Sequence, residues 1–257
     1  MTTAIITVAG ISSRFNKGFE SQYLKAIYYE ENIFETLLFK LLEKFWAVKK
    51  IIVVGGYKYS ELENYIVKNI CSEFRKKIVT VYNEFFQKYS SGYSLYLGLN
   101  RAFYEGATSI IFAEGDLDVD SLSIKKVINS KKNVITYTHF PVYSDKSVAF
   151  YQNADDKFQY IFSREHRLLN IVEPFKCIFN SGQIWKFIDV DKLKLANKKF
   201  YEEARDDTNL GIIQRYFDTI PVTEIELVHI VHWLNCNTRA DYKLAKDFWR
   251  TDNIETV

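Results

Sequence analysis

The residues best suited to chemistry are an early glycine followed by two cations, and a carboxylate near the middle of the chain. Val8-Ala9-Gly10-Ile11-Ser12-Ser13-Arg14 follows a β-branched run, and Lys25 comes eleven residues after Arg14. A glycine at a strand end lets the backbone approach a phosphate closely, and successive amides in a turn form an anion-binding nest. Ala9, Gly10, Ser12 and Ser13 would line such a nest, with Arg14 and Lys25 adding the positive charge that a triphosphate requires. The alternative is a plain strand-to-loop turn carrying two solvated cations. A dinucleotide site fits poorly because no GxGxxG occurs, and the phosphate loop of P-loop NTPases is also missing. Further on, a buried strand over residues 109–113 runs into Glu114-Gly115-Asp116-Leu117-Asp118. Carboxylates just past the carboxyl edge of a parallel strand sit where open α/β sheets bind ligands. Mg²⁺ takes a few carboxylates together with phosphate oxygens and water, so Asp116 beside a bound triphosphate suffices to hold it. Asp118 and Asp120 read as a solvated turn or helix cap, Asp118 being the nearer to the site.

Positioning these groups requires a sheet. Residues 4–8, 50–54, 78–82 and 109–113 are short apolar runs, and 33–46, 60–70 and 92–104 carry apolar residues at helical spacing between them. That alternation predicts a Rossmann-like α/β fold, with a mostly parallel central sheet and helices on both faces. After residue 130 the pattern changes to short strand candidates at 134–138, 148–151, 159–162 and 171–172, which predict antiparallel additions around a pocket. A helix over 208–217, a strand over 223–228 after Pro221, and a final helix from Thr238 to 250 complete the expectation, with Thr238 and Asp241 as a variant capping box. No repeat or linker interrupts residues 1–257. One domain is expected, with 1–130 as its nucleotide half and 131–257 as its acceptor half.

Several weaker signals lie between. Asn83 follows the third strand, and Ser91, Gly92 and Ser94 open a helix whose free amides and short side chains permit close approach to polar base edges; a capped helix with no ligand is the alternative. Asn180 and Ser181 lie in a segment that reads as a turn between strand and helix, and Arg164, His166 and Arg167 form a polar stretch suited to an anion or to solvent. His229 and His232 are three apart within strand-like residues, which points them to opposite faces and favours structural roles over a metal site.

Composition narrows the field. In 257 residues, 34 basic side chains nearly cancel 32 acidic ones, so no global field marks a nucleic-acid or membrane-surface binder. Cys71, Cys177 and Cys236 are far apart with no CxxC, as expected of reduced thiols. With no signal-like segment and no long apolar run, a cytoplasmic location is expected.

Taken in order along the chain, these segments resemble the sugar-phosphate nucleotidyltransferase superfamily. Gly10, Arg14 and Lys25 fall where that family has its triphosphate loop and the lysine that offsets charge on the α-phosphate. Asn83, Ser91, Gly92 and Ser94 fall at its base- and ribose-reading segment, and Gly115-Asp116 at its metal-binding Gly-Asp pair, preceded by Glu114. In Trp233-Leu234-Asn235-Cys236-Asn237-Thr238-Arg239-Ala240-Asp241-Tyr242, the family's second metal-binding aspartate appears as Asn235. Glu173, Asn180 and Ser181 match its acceptor side. The chain departs by having Ile11-Ser12-Ser13 in place of a second glycine, and by lacking a proline before Lys25. The resemblance implies the nucleotidyltransferase fold and a reaction dependent on Mg²⁺ or Mn²⁺. It is closest to small bacterial cytidylyltransferases of surface-polysaccharide modification. CTP and a small phosphorylated acceptor are therefore the implied partners, phosphoglutamine for capsular phosphoramidate synthesis being favoured over phosphocholine or a sugar 1-phosphate. Outside that class, a metal-dependent glycosyltransferase would use the Glu114–Asp118 carboxylates but has no need of the N-terminal triphosphate loop, and a non-catalytic nucleotide-binding module remains a third reading.

Overall fold

Alternating burial along the strands builds a sheet covered on both faces. In β1 (Thr2–Thr7), Ala4 and Ile6 face one apolar layer while Ile5 faces the other, and none of the three is exposed. A computed structural model of the chain describes residues 1–144, 147–161 and 170–252. The loop after β1 contains α1 (Ser13–Asn16) and a single 3₁₀ turn at Lys25–Ile27, and leads to α2 (Leu37–Lys44). Then follow β2 (Lys50–Gly55), α3 (Tyr59–Asn69), α4 (Ser72–Arg75), β3 (Ile78–Tyr82), α5 (Ser91–Tyr104), β4 (Ser109–Glu114), β5 (Leu117–Val119), α6 (Ser121–Asn129) and β6 (Asn133–Thr138). The second half comprises β7 (Ala149–Asn153), β8 (Phe158–Tyr160), β9 (Phe175–Phe187), α7 (Val190–Glu203), α8 (Leu210–Phe217), β10 (Ile225–His229), β11 (Trp233–Asn235) and α9 (Arg239–Asp252).

The strand order is β10-β6-β9-β4-β1-β2-β3. All these strands run in one direction except β9, which is antiparallel to both β4 and β6. β7 and β8 extend the antiparallel side beside β9, and β5 pairs with β11 in a separate two-stranded ribbon. The parallel sheet with antiparallel additions is the architecture expected from the sequence.

Four segments differ from expectation. Residues 179–183 are the interior of β9 rather than a turn between strand and helix. The Ser181-Gly182-Gln183 signal is instead a local irregularity in a thirteen-residue strand, where Gln183 adopts φ 56° and the register against β6 shifts. Such bulges use turn-like residues inside a ladder. Helix α7 is not expected from the sequence because half of its residues are charged, yet Leu193, Ala196, Asn197 and Phe200 form a buried stripe with Asp189 as N-cap. Residues 222–224 form a 3₁₀ turn, so the strand expected from 223 starts at Ile225, and no strand forms at 171–172. Arg164, His166 and Arg167 lie outside the described residues.

Lys186 secures the middle of the sheet. Its buried ammonium donates to the carbonyls of Val127, Ile128 and Ser130, which satisfies the C-terminal end of α6 from β9. No helix among the described residues is long and apolar enough to cross a membrane.

Candidate active site

A cavity of about 390 Å³ opens at the carboxyl ends of β1 and β4, lined by the loop after β1, the start of α5, residues 114–116 and two asparagines from the second half. Ala9, Gly10, Ser12, Ser13, Arg14, Lys25, Ser91, Ser94, Glu114 and Asp116 all line it. At Gly10 the space a Cβ would occupy is empty, which leaves that backbone open to a ligand. Ser12 adopts the left-handed conformation, φ 57°, at the point where a second glycine is missing, and its hydroxyl accepts from the Lys25 amide at 3.1 Å. That bond ties the two cationic segments together. The Lys25 ammonium donates to Asp116 Oδ2 at 2.9 Å.

Close backbone approach places Asp116. A Cβ on Gly115 would lie 2.3 Å from the Val8 side chain and 2.6 Å from the Thr7 carbonyl, so only glycine lets β4 turn against β1 there. Beside it, Glu114 accepts from Asn209 Nδ2 at 2.7 Å, and Asn209 in turn donates its amide to Ser91 Oγ at 3.2 Å. Burial, reinforced by the Asp116 charge, pushes the Glu114 carboxyl up to about 7. Asn209 also lines the cavity and carries no motif signal in the sequence. Only the packing of α8 against α5 brings it in.

Other expected site residues lie elsewhere. Asn83 is fully buried behind the cavity wall, where its side chain donates to Ser94 and accepts from the Phe85 amide. Gly92 provides packing room: a Cβ there would lie 2.5 Å from the Asp207 carbonyl and 2.7 Å from that of Thr208. Ser181 is unexposed inside β9, where its hydroxyl accepts from the Gln183 amide, and Asn180 is buried beside it. Glu173 is exposed and accepts from Tyr151 and Asn153 at the antiparallel edge. None of these five lines the cavity.

The C-terminal segment also shifts in register. The Asn235 amide is engaged with Gln183 and Asn237, whereas Asn237 itself lines the cavity. β11 ends at Asn235, and the Cys236 amide donates to the Asp116 carbonyl at 2.8 Å, so the chain delivers Asn237 to the site as it turns into α9. Asp118 is not a solvated turn but buried. It binds Trp249 Nε1 and His232 Nε2, each at 2.7 Å, with Lys44 at 3.6 Å, and burial lowers the Lys44 pKa. Asp120 caps α6. His229 stacks on His139 at 3.8 Å and His232 on Phe248 at 3.4 Å, so the two histidines have separate partners.

A divalent cation fits this donor set in one respect. Asp116 Oδ1 is buried and accepts no hydrogen bond, leaving half of a carboxylate unsatisfied in the cavity wall. Among the described residues no group of three or more His, Cys, Asp or Glu side chains gathers to hold a metal ion, so most ligands would come from a bound phosphate and water.

Residues 21–249 match DUF6564, described as a domain of unknown function. The chain belongs to that family. No curated protein matches it by sequence. Among solved structures, this DUF6564 member is similar to the inositol-1-phosphate CTP transferase of T. maritima, with TM-score 0.66 and 14% identity over 96% of this chain and 95% of that one. It is similar to a putative glucose-1-phosphate thymidylyltransferase of Bacillus anthracis, with TM-score 0.68 and 11% identity over 96% and 95%. A third match is the CTP:phosphocholine cytidylyltransferase of Streptococcus pneumoniae, with TM-score 0.62 and 14% identity over 96% and 99%. The DUF6564 chain has the nucleotidyltransferase fold, across nearly its whole length.

Proposed function

We propose that the chain transfers CMP from CTP to a small phosphorylated acceptor and releases pyrophosphate. The observation that carries this reading is the convergence of residues 10–14, the Lys25 ammonium and the Asp116 carboxylate in one cavity at the strand ends. A glycosyltransferase using a nucleotide diphosphate-sugar has no need of such a loop. Loop amides and Arg14 would hold the triphosphate, and Lys25 would face the α-phosphate, offsetting charge as it develops. An acceptor phosphate oxygen attacks the α-phosphorus in line; its new P–O bond forms as the bond to the β-phosphate oxygen breaks, and pyrophosphate leaves with those electrons. The attacking oxygen is already ionised, so no protein base is required. Positioning and charge neutralisation do the work. Asp116, with its unsatisfied Oδ1, and Asn237 would hold Mg²⁺ or Mn²⁺ on the triphosphate, and the cation would neutralise phosphate charge when bound.

Two of the similar structures are an inositol-1-phosphate CTP transferase and a CTP:phosphocholine cytidylyltransferase, which supports CTP, while the third is a putative glucose-1-phosphate thymidylyltransferase. Phosphoglutamine, in capsular phosphoramidate synthesis, is the favoured acceptor; phosphocholine and sugar 1-phosphates are the closest alternatives. Of the three residues expected on the acceptor side, Glu173 is exposed at the antiparallel edge and is kept as a candidate acceptor contact, whereas Asn180 and Ser181 are buried within β9 and support that strand from inside; we place the reaction in the cytoplasm. The test is pyrophosphate release from each of the four NTPs with each acceptor in the presence of Mg²⁺. Turnover of CTP with one of these phosphorylated acceptors is expected. A purine preference rejects the cytidylyl assignment, and no pyrophosphate in any pairing rejects nucleotidyl transfer.

A further inference from the structure

Arg239, the first residue of α9, occupies an unusual environment. Its guanidinium carbon lies 4.2 Å from the ring centre of Tyr28, 4.3 Å from Phe19, 4.9 Å from Phe15 and 5.0 Å from Tyr23. Its Nε and Nη2 are buried and donate no hydrogen bond. Removing guanidinium N–H groups from water without a hydrogen-bond acceptor is unfavourable, and the electron-rich ring faces are what offset it. All four rings belong to one stretch of chain, which begins beside Arg14 and closes just past Lys25. Within that stretch the Asn16 side chain both donates to the Tyr23 carbonyl and accepts from its amide, and the rings pack edge to face, Phe15 with Tyr28 at 5.1 Å and Tyr23 with Tyr28 at 5.2 Å. Two residues before Arg239, Asn237 lines the cavity from the other side.

We propose that Arg239 is a positioning residue, a cation locked in an aromatic box that fixes the loop of Arg14 and Lys25 and the C-terminal segment of Asn237 in one arrangement. The box exists only when the loop is folded around the guanidinium, so the arginine couples two segments from opposite ends of the chain. A planar, weakly hydrated cation suits four rings better than the compact ammonium of lysine does. The link to nucleotide binding rests on the reading given above; the link to loop order does not.

The test has two readouts on Arg239→Met, Arg239→Ala and Arg239→Lys. Trypsin cleavage after Arg14, Lys17 and Lys25 reports loop order, and CTP titration with Mg²⁺ reports binding. Folded Met and Ala variants are expected to be cut about tenfold faster and to bind CTP about tenfold more weakly, equivalent to 1.4 kcal/mol. Lysine should recover part of both. If a Met or Ala variant does not fold, Phe19→Ala with Tyr23→Ala opens the box from its partly exposed walls and is expected to give the same two changes. Cleavage at the parental rate in any folded box variant overturns the proposal. So does faster cleavage with parental CTP affinity, because the loop would then be ordered for some other purpose. If the parent binds no NTP, the functional reading fails, and the cleavage rates alone decide the lock.

Discussion

At the scale of single residues, the site turns on charge balance around Asp116. Lys25 is its ion-pair partner and is aimed at the same cavity. Lys25→Ala should keep the fold but lower kcat by on the order of a hundredfold or more, as loss of one preorganised electrostatic group typically does; steady-state pyrophosphate release checks it. Asn237, not Asn235, lines the cavity, so Asn237→Asp should tighten Mn²⁺ binding severalfold while Asn235→Asp leaves it unchanged, as read by titration of free Mn²⁺. Glu114 predicts a pH effect. Its carboxyl is raised from an ordinary 4.5 to about 7, so between those values the folded protein holds a proton that the unfolded chain has released. The resulting stabilisation is whole below the unfolded value and is lost as pH rises through the folded one, an effect of at most about 3 kcal/mol. Denaturant titrations across pH 4.5 to 7 should show falling stability in the parent and a flatter profile in Glu114→Gln.

At the scale of elements, local pattern worked where a strand is a continuous apolar run and failed where partners distant in sequence hold a segment of mixed or polar composition. β1, β2 and β4 are apolar runs bounded by polar residues, and a buried parallel strand needs little else, whereas β3 at the sheet edge is only partly buried. β9 pairs with three strands and passes through Asn180-Ser181-Gly182-Gln183, residues that elsewhere make turns; its partners on either side hold it extended. The start of α5 shows the same dependence. Gly92 reads as a helix start facing a ligand, yet it allows α5 to meet the backbone just before Asn209. Gly92→Ala should therefore destabilise the protein by about 1–3 kcal/mol through overpacking, visible as a lower denaturant midpoint at unchanged slope. It should also weaken nucleotide binding by displacing Asn209 from Ser91 and Glu114.

At the scale of the whole molecule, both halves contribute to one cavity, since Asn209 and Asn237 from the second half close a site opened by β1 and β4 from the first. Unfolding is expected to be a single cooperative transition. CTP with Mg²⁺ at about a hundredfold over Kd should stabilise by about 2.7 kcal/mol and raise Tm by roughly 5–10 °C in differential scanning fluorimetry, with little effect from Mg²⁺ alone. The amino-acid sequence by itself determined the α/β class, the direction of the first strands, the glycine-containing loop after β1 and the carboxylate just past the end of β4. Those features are local, set by side-chain period and by residue types adjacent in the chain. Tertiary structure alone decided that Asn237 rather than Asn235 reaches the cavity, that Asn83 supports the wall from behind, that Asn209 joins Glu114, and that Arg239 fills a box of rings from the N-terminal loop. Each depends on register between segments distant in sequence, and a shift of one or two residues in such pairing changes which side chain faces a ligand.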